Sequence, residues 1–347
     1  MGNTNKRIMF VTNSLSGGGA ERATNILVNS ISNLGNDVCL VAINDGLPDL
    51  IQPECPVFEV KRRWKGGTLS VLKAYLRLQK AIWKWKPGFL VLNCDIPEFL
   101  GSLTIGRHKL ISVEHATTPW INRIRLGKFT RKVLTLRNTA WVAVSDHLSI
   151  WGTQSVPSIT INNAIYIPQF DRAASKGQIK RINYIGRLST EKQPIWALDV
   201  ARDTNLPIRI FGDGLLRTEL QEYALKNNIV ADFEGYVPNP WKFFTESDLL
   251  IVPSLFEGDG LVVVEALGNR IPLIVNDISD LRRFKLKDVS YAESIDRFTE
   301  IIKSNSDRIE SFSQADERIC EILLDRDPIK VGTKWITFLN SIDQNSN

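Results

Sequence analysis

A short basic segment in the second half of the chain has the residue types needed to bind a diphosphate. It reads GRLSTEK over residues 186–192 and lies between a predicted strand, residues 181–185, and a predicted helix, residues 194–203. Arg187 and Lys192 are its cations, and paired cations bind phosphate oxygens through charge-assisted hydrogen bonds. The segment therefore predicts an anion site in which both side chains point toward one ligand.

Two carboxylates farther along the chain flank a glycine-containing turn. Glu257 and Glu265 are eight residues apart, a spacing that does not place them side by side on one helix. With Glu257 in a loop and Glu265 in a helix over residues 262–267, the amides of Gly260 and Leu261 fall between them. That order matches the length of a nucleotide sugar. Two unrelated surface glutamates give the same pattern, and a glycosidase also uses two carboxylates but does not need the paired cations.

A glycine turn after the first predicted strand is a second candidate for ligand binding. The sequence GGGAER, residues 17–22, precedes a predicted helix, where glycines let backbone amides approach a phosphate or a sugar. A dinucleotide fingerprint needs a third glycine where Arg22 stands, and neither Asp37 nor Asp45 suits the acidic partner. This segment alone leaves both NAD binding and a simple tight turn open. A similar turn, FGDG over residues 211–214, ends another predicted strand.

These candidate residues follow short β-like runs that alternate with helical runs through both halves of the chain. Such alternation is typical of parallel α/β domains, and ligands bind beyond the carboxyl ends of their strands. We predict an α/β protein with two Rossmann-like doubly wound domains facing a central cleft. The predicted strands are residues 8–12, 37–43, 89–93, 110–114, 141–145, 181–185, 208–211, 231–234, 249–252 and 272–275.

The alternation breaks between about residues 164 and 180, where the sequence is polar and has no clear period. We place the linker there, which gives predicted domains over residues 1–168 and 169–330. A C-terminal helix and tail, residues 331–347, can return to either domain.

The composition is that of an ordinary globular protein. The 347 residues are 43% hydrophobic and 23% charged, with a mean hydropathy of -0.10, which excludes disordered, collagen-like and coiled-coil classes. The apolar run at residues 8–11 is too short for a signal peptide or a membrane span, and Lys6 breaks the myristoylation pattern. We therefore expect a cytoplasmic protein. Four widely spaced cysteines form no CxxC pair and predict neither a disulfide framework nor a zinc site: Cys39, Cys55, Cys94 and Cys320.

Charge is distributed unevenly between the two halves. Residues 1–168 hold 20 Lys and Arg against 10 Asp and Glu, whereas the remaining residues hold 23 against 28. Two stretches, residues 61–86 and 121–137, carry nine and six basic residues and no acid. The first contains an amphipathic helix pattern that includes Trp83 and Trp85. A solvated basic face is the common explanation, but the absence of acids favours anionic lipid headgroups, and charge alone would also suit nucleic acid.

Taken together, the motifs resemble a known family. The segments SGGGAERATNILVNSI, IGRLSTEKQP, FGDG, FEGYVPN and SLFEGDGLVVVEAL occur in the order found in the retaining glycosyltransferases of family four, also called group 1. The resemblance runs from residue 8 to about residue 275, and its specific part is GRLxxEK followed by E-x7-E. It implies the GT-B fold, with an N-terminal acceptor domain and a C-terminal domain that binds a nucleotide sugar.

The resemblance also implies a role for each candidate residue. Arg187 and Lys192 would bind the donor diphosphate. Glu257 would contact hydroxyls of the donor sugar, and Glu265 would hold the ribose. His115, in SVEHATT, would lie beside the sugar, although a locally hydrogen-bonded histidine at a strand end explains the same residue. The other implied donor-binding residues supply glycine turns or backbone amides: Gly18, Gly19, Gly186, Gly212, Gly260, Leu261 and Val262.

The implied reaction needs no metal and no cofactor beyond the nucleotide-sugar co-substrate. Paired cations and helix-terminal amides would stabilise the departing diphosphate, which would itself help to deprotonate the acceptor, so we assign no general base. The chain departs from the family pattern at Asp259 and at residues 268–272 and 276–280. Asp259 would place an extra acid beside the sugar, and these departures leave the donor sugar open.

We predict a metal-independent retaining glycosyltransferase of bacterial surface polysaccharide synthesis, including lipopolysaccharide. A UDP-hexose or UDP-N-acetylhexosamine would be the donor, and a glycan or polyprenyl-diphosphate-linked acceptor would be reached at the inner membrane surface through the basic N-terminal domain, with no nucleic-acid partner. The alternatives are an NAD-linked Rossmann oxidoreductase and a non-catalytic lipid or nucleic-acid binding protein. Preference for NAD over UDP would favour the first, and full function after Glu257→Ala or Lys192→Ala would favour the second.

Overall fold

The chain divides into two units, which are residues 1–166 with 325–347 and residues 167–324. We call them the first and the second unit; the domain boundaries predicted from the sequence lie after residues 168 and 330. Residues 167–177, in the predicted linker, lie outside the described residues. The computed structural model describes residues 6–15, 18–45, 51–62, 67–117, 119–121, 123–153, 157–166, 178–286, 289–304 and 317–344.

A seven-stranded parallel sheet forms the centre of the first unit. Its strands are β1 (Arg7–Thr12), β2 (Asp37–Asn44), β3 (Val57–Arg62), β4 (Phe89–Asn93), β5 (Lys109–Glu114), β6 (Ala140–Ala143) and β7 (Ile159–Thr160). The order β3-β2-β1-β4-β5-β6-β7 reverses direction between β1 and β4, which is the topological switch point of a doubly wound sheet. The inner strands are almost continuously buried, as expected for a parallel sheet covered on both faces.

Helices cover both faces of this sheet. They are α1 (Gly19–Asn33), α2 (Thr68–Trp85), α3 (Asp95–Ser102) and α4 (Ile124–Leu136). Residues of α1 pack on one face with alternate strand residues such as Phe10 and Val91. Residues of α2, α3 and α4 pack on the other face with Met9 and Leu92. Successive strand residues point to opposite faces, so both cores are built from the same strands.

The second unit contains a six-stranded parallel sheet. Its strands are β8 (Arg181–Ile185), β9 (Ile208–Phe211), β10 (Ala231–Gly235), β11 (Asp248–Val252), β12 (Leu273–Asn276) and β13 (Ser290–Ala292). The order is β10-β9-β8-β11-β12-β13, so the reversal lies between β8 and β11. Its helices are α5 (Pro194–Thr204), α6 (Arg217–Lys226), α7 (Leu261–Gly268), α8 (Ser279–Arg282), α9 (Ile295–Ser304) and α10 (Glu317–Leu324).

The last helix, α11 (Pro328–Gln344), is part of the first unit and packs against α1. Trp335 makes an edge contact with Phe10 of β1, at 5.9 Å between ring centroids. Asp343 pairs with Lys6 at 2.9 Å and with Lys109 at 2.8 Å. The C-terminal segment thereby completes the layer that α1 begins.

The prediction of two doubly wound α/β domains is confirmed by the two parallel sheets, and each predicted strand overlaps an observed one. Three strands were not predicted. β7 and β13 have only two and three residues, too few to show a periodicity in the sequence. β3 lies at a sheet edge, and its sequence, VFEVKR, has neither a continuous apolar run nor a strict alternation.

Candidate functional site

Two loops of the second unit bring together the main predicted residues. One follows β8 and the other follows β11, and these neighbouring parallel strands end at the same edge of the sheet. The Lys192 Nζ donates to Glu257 Oε1 at 2.7 Å, and the backbone N–H of Leu255 donates to the Glu191 carbonyl at 2.9 Å. The basic segment and the first carboxylate of E-x7-E are therefore joined by one ion pair and one backbone hydrogen bond.

Tyr184, in β8, contacts the backbone of the loop that carries Arg187 and Lys192. Its buried hydroxyl donates to the carbonyl of Arg187 at 3.0 Å and lies 3.4 Å from that of Lys192. Burial raises the pKa of Tyr184 well above its ordinary value, so the phenol stays protonated and remains a donor. The Arg187 side chain is exposed, and its guanidinium pairs with no carboxylate among the residues that the structure describes. The loop thus presents one exposed cation and one paired cation.

The acidic loop is anchored by the segment after β12, where the sequence departs from the family pattern. The backbone N–H of Glu257 donates to Asp280 Oδ2 at 2.9 Å. The side-chain amide of Asn276 donates to the Ser254 carbonyl at 3.0 Å. The polar residues in this segment therefore fix the position of Glu257 from a neighbouring strand.

Gly260 starts α7 in a left-handed conformation, with φ at 65°. A Cβ at this position would lie 3.1 Å from the ring of Phe284, so both the conformation and the space favour glycine. The first hydrogen bond of the helix joins the Val264 N–H to the Gly260 carbonyl. Leu261 and Val262 lie in the first turn, whose amides have no partner within the helix and attract anions.

Glu265 lies within α7 and is buried. Its Oε2 accepts a hydrogen bond from the indole Nε1 of Trp241 at 3.2 Å. Sequence reasoning missed Trp241, which lies 24 residues earlier in a 3-10 turn, Pro240–Phe243. The contact orients the carboxylate that the resemblance assigns to the ribose.

Asp259 does not have the environment expected from the sequence. Its side chain is only 3% exposed, with Oδ1 3.5 Å from Arg283, and the same guanidinium donates to its backbone carbonyl at 2.8 Å. The carboxylate faces a cation of the second unit, and this partner explains the buried acid as part of the loop structure.

Gly186 and Gly212 are required by backbone packing between adjacent loops. Gly212 has a φ of 133°, and a Cβ there would lie 1.9 Å from the Gly186 carbonyl oxygen. The Gly186 N–H donates to the Phe211 carbonyl at 3.0 Å, which holds the loops after β8 and β9 together. This packing accounts for both glycines, and their contact with a donor stays a prediction.

The predicted residues of the first unit lie at the carboxyl ends of β1 and β5. Gly18 caps α1 in an extended conformation and Gly19 is its first residue, whereas Gly17 lies outside the described residues. His115 directly follows β5, and its Nε2 lies 3.0 Å from Asn93 Oδ1. Desolvation lowers the pKa of His115 to about 4, so the imidazole is neutral at pH 7.

A buried ionic cluster that includes Glu114, the residue before His115, was not predicted. Arg131 of α4 pairs with Glu98 at 2.8 Å and with Glu114, and all three side chains are 1% exposed. The indole of Trp120 donates to Glu98 at 2.9 Å. Arg131 belongs to a stretch interpreted as a basic surface, so that interpretation is wrong for this residue. The one signal in the sequence is Glu114, an acid at the end of an apolar strand and next to His115.

Burial raises the pKa of Glu114 to about 7, against the opposing effect of Arg131. The described residues contain no group of three side chains suited to holding a metal ion. No described helix is long and apolar enough to cross a membrane.

The sequence profile described as "Glycosyl transferases group 1" matches residues 168–285, the segment that contains the loops after β8 and β11. The resemblance to group 1 glycosyltransferases is confirmed. Glycosyl transfer, the predicted activity class, is the activity of the family that this segment resembles. The donor, the stereochemistry and the acceptor stay predictions.

Relatives of this glycosyltransferase type include proteins that act on lipid-linked glycans. An alpha-1,4-N-acetyl-D-galactosaminyltransferase of Campylobacter jejuni, named for an acceptor that ends in PP-undecaprenol, is 25% identical over 75% of this chain and 76% of its own length. An Escherichia coli alpha-1,3-galactosyltransferase named for UDP-Gal and a diphosphoundecaprenol acceptor is 29% identical over 34% of this chain and 36% of its own. The amylovoran biosynthesis glycosyltransferase AmsD of Erwinia amylovora is 22% identical over 96% of this chain and 99% of its own.

Solved structures show the same fold. Anabaena HepE, in complex with UDP and glucose, has a TM-score of 0.76 at 16% identity and covers 97% of this chain and 100% of its own. TarM has a TM-score of 0.71 at 12% identity over 97% of this chain and 99% of its own. Both are GT-B glycosyltransferases, and the GT-B fold is thereby confirmed.

Proposed function

We propose that the protein transfers a hexose or N-acetylhexosamine from a UDP-sugar to a glycan carried on a polyprenyl diphosphate, with retention of anomeric configuration. The observation that carries this proposal is the pairing of Lys192 with Glu257 at 2.7 Å, because it joins the cationic segment and the acidic loop at one edge of the second sheet. A nucleotide sugar has an anionic diphosphate and a neutral sugar, which suit a cation and a carboxylate respectively.

The residues around this pair bind different parts of the nucleotide-sugar donor. Arg187 and Lys192 bind the diphosphate together with the amides of Leu261 and Val262 at the start of α7. Glu257 accepts hydrogen bonds from sugar hydroxyls. Glu265, oriented by the Trp241 indole, binds the ribose diol. The names of the relatives support a UDP-sugar donor, since one is named for UDP-Gal and HepE is described in complex with UDP and glucose.

Catalysis then depends on stabilising the leaving diphosphate. The departing UDP gains negative charge in the transition state, and preorganised cations and helix-terminal amides stabilise that charge more than they stabilise the ground state. The diphosphate takes the proton of the acceptor hydroxyl as the new glycosidic bond forms. The proposal assigns no step to a metal ion and no general base to the protein.

The donor site is tested by the thermal unfolding of the protein with UDP, GDP, ADP or NAD at millimolar concentration. A ligand at about 100 times its Kd stabilises the folded state by about 2.7 kcal/mol. We expect UDP to raise the Tm of the wild type and of the control Lys226→Ala, an exposed lysine on α6. The rise should be lost in Lys192→Ala. A rise with NAD and none with UDP would refute the proposal.

The outer face of α2 supports an acceptor at a membrane surface. Ala74, Leu78 and Ile82 face the core, whereas four large apolar side chains are more than half exposed on the opposite face. These are Leu69 at 64%, Leu72 at 54%, Leu76 at 57% and Trp83 at 63%. The exposed cations Lys73, Arg77, Lys80 and Lys84 lie among them. A helix face that combines exposed apolar and basic residues is typical of binding in the lipid headgroup region.

Helix α4, which packs on the same face of the sheet as α2, also combines exposed apolar and basic residues. Its exposed residues include Phe129 and Leu136 together with Arg125, Lys128 and Lys132. Only three acids occur between residues 61 and 137, and none is exposed: Glu98 and Glu114 are buried and Asp95 is half-buried. We propose that the outer faces of α2 and α4 bind anionic lipid, which would bring the first unit to a lipid-linked acceptor.

Co-sedimentation with vesicles tests this surface. We expect binding to phosphatidylglycerol-containing vesicles at low salt and none to pure phosphatidylcholine. Each basic residue near an anionic surface contributes about 1 kcal/mol, so the double variant Lys73→Glu/Lys80→Glu should bind more than tenfold more weakly. Trp83→Ser should also weaken binding, whereas Leu225→Ser, an exposed leucine of the second unit, should not. Failure of the wild type to sediment with anionic vesicles would refute membrane binding.

A further inference from the structure

Three neighbouring strands of the first sheet, β1, β4 and β5, each have a polar residue on the same face at or directly after their carboxyl end. Side chains alternate along a strand, so Thr12, Asn93 and His115 continue the series that packs under α1. The apolar members of these series are Ile8 and Phe10, Phe89 and Val91, and Ile111 and Val113. The register pairs Val11 with Leu92, so Thr12 lies level with Asn93. Asn93 pairs with Val113, so His115 lies two residues farther along the same face of the sheet.

Two of these residues have buried polar atoms without a partner. Asn93 is 4% exposed and Thr12 is 1% exposed. The Asn93 Nδ2 and the Thr12 Oγ1 have no hydrogen bond to any residue that the structure describes. Because a buried, unpaired amide N–H is costly, such a group at a sheet end indicates that a ligand supplies the partner.

Asn93 also determines which nitrogen of His115 carries the proton. Its Oδ1, which can only accept, lies 3.0 Å from His115 Nε2, so Nε2 donates and Nδ1 keeps its lone pair. Desolvation is the cause of the low pKa of His115, and the carboxylate of the preceding residue, Glu114, is held by Arg131. The pair therefore contains a neutral acceptor, His115 Nδ1, and a neutral donor, Asn93 Nδ2.

These groups lie at a place where doubly wound sheets bind ligands. Thr12 and Asn93 end β1 and β4, the two strands at the topological switch point. The first turn of α1, which begins after Gly18, covers the same face of the sheet and contributes backbone N–H groups. Two buried polar atoms, Asn93 Nδ2 and Thr12 Oγ1, thus lack a partner among the described residues at the sheet end where α1 begins.

We propose that Asn93 fixes the neutral Nε2–H tautomer of His115 and, together with Thr12, binds a sugar hydroxyl of the substrate. A hydroxyl group both donates and accepts, which matches the Asn93 N–H, the His115 lone pair and the Thr12 hydroxyl. A phosphate only accepts and would leave the His115 lone pair without a donor. The binding of a sugar hydroxyl rests on the proposed function, whereas the effect of Asn93 on the His115 tautomer does not.

The tautomer is tested without substrate by imidazole NMR of the three histidines. We expect the neutral Nε2–H form of His115 in the wild type and a mixture of tautomers in Asn93→Ala. Asn93→Asp places a carboxylate beside Nε2, which should raise the pKa of His115. His147, whose Nδ1 lies 2.8 Å from Ser145 Oγ, serves as the internal reference. Identical His115 spectra and titration in all three proteins would overturn the positioning role.

The ligand is tested by comparing donor hydrolysis with sugar transfer, using UDP-glucose and UDP-N-acetylglucosamine as probes. Loss of one neutral hydrogen bond predicts a three- to tenfold decrease in Asn93→Ala. The matched control is Asn162→Ala, which removes an amide that donates to the Val144 carbonyl at 3.0 Å. Equal decreases in hydrolysis and transfer identify the donor sugar as the ligand, and a decrease in transfer alone identifies the acceptor sugar.

Unchanged rates of both reactions would overturn the binding role. A wild type that neither binds nor hydrolyses any UDP-sugar would instead refute the proposed function, and the NMR experiment would still decide whether Asn93 positions His115.

Discussion

Removing the charge of Glu257 should strengthen the binding of UDP while it weakens sugar transfer. In the structure Glu257 is the partner of Lys192, with Nζ and Oε1 2.7 Å apart and side chains 13% and 27% exposed. A diphosphate must compete with this carboxylate for the Lys192 ammonium. Glu257→Gln keeps the side-chain shape and removes the competing charge. UDP lacks the hexose that is transferred, so we expect the variant to affect its binding mainly through Lys192.

The size of the effect follows from the geometry of the pair. Two unit charges about 4 Å apart near a protein surface interact by about 4 kcal/mol, but partly exposed pairs contribute a net 1 kcal/mol or less after screening and side-chain ordering. We therefore expect UDP to bind with a Kd lowered by about fivefold, which corresponds to about 1 kcal/mol. Transfer should fall by more than tenfold, because the variant removes the carboxylate that we propose to contact the sugar.

Isothermal titration of UDP into four proteins measures this coupling. The wild type, Glu257→Gln, Lys192→Ala and the double variant form a double-mutant cycle in which the gain from Glu257→Gln should vanish without Lys192. Glu191→Gln is the matched control, since it removes a nearby carboxylate for which no contact with Lys192 is observed. A Kd for UDP that is unchanged or raised in Glu257→Gln would refute the competition between Glu257 and the diphosphate.

Three further predictions concern stability. Arg131→Ala leaves Glu98 and Glu114 buried without their cation and should lower the free energy of unfolding in urea by about 3–5 kcal/mol. Gly212→Ala places a Cβ 1.9 Å from a backbone oxygen at a φ of 133° and should cost about 1–3 kcal/mol, whereas Gly67→Ala, with no atom within 4 Å, should cost far less. The pKa of Glu114 is raised from 4.5 to about 7, so its contribution to stability is present below pH 4.5 and is lost as pH rises toward 7; Glu114→Gln should remove that part of the pH dependence.

Each of these three stability predictions would be contradicted by a specific result. A free energy of unfolding for Arg131→Ala within about 1 kcal/mol of the wild type would show that the cluster contributes little to folding. Equal melting temperatures of the two alanine variants would contradict the packing argument for Gly212. A pH profile of unfolding that is identical in the wild type and Glu114→Gln would contradict the raised pKa. The difference between the two profiles isolates Glu114, since the other titrating groups are present in both proteins. One of them is His115, whose lowered pKa gives the opposite pH dependence.

Much of the fold was readable from the sequence because its determinants are local. Buried parallel strands such as β11, whose residues 249–252 are all apolar, appear as short apolar runs, and the helices between them show their own period. The left-handed start of α7 was marked by Gly260. The family motifs located the loops after β8 and β11, but the ion pair between Lys192 and Glu257 appears only once the two strands lie side by side.

The sequence by itself determined the two α/β domains, the positions of the candidate loops and the excess of positive charge in the first half. Tertiary structure decided which charges are on the surface: Arg131 is buried between two glutamates that lie 33 and 17 residues away in sequence, and Asp259 faces Arg283. It also placed Asn93 beside His115, 22 residues apart. The physical reason is that hydrophobic periodicity is a property of a segment, whereas the environment of a polar group depends on the segments that fold against it.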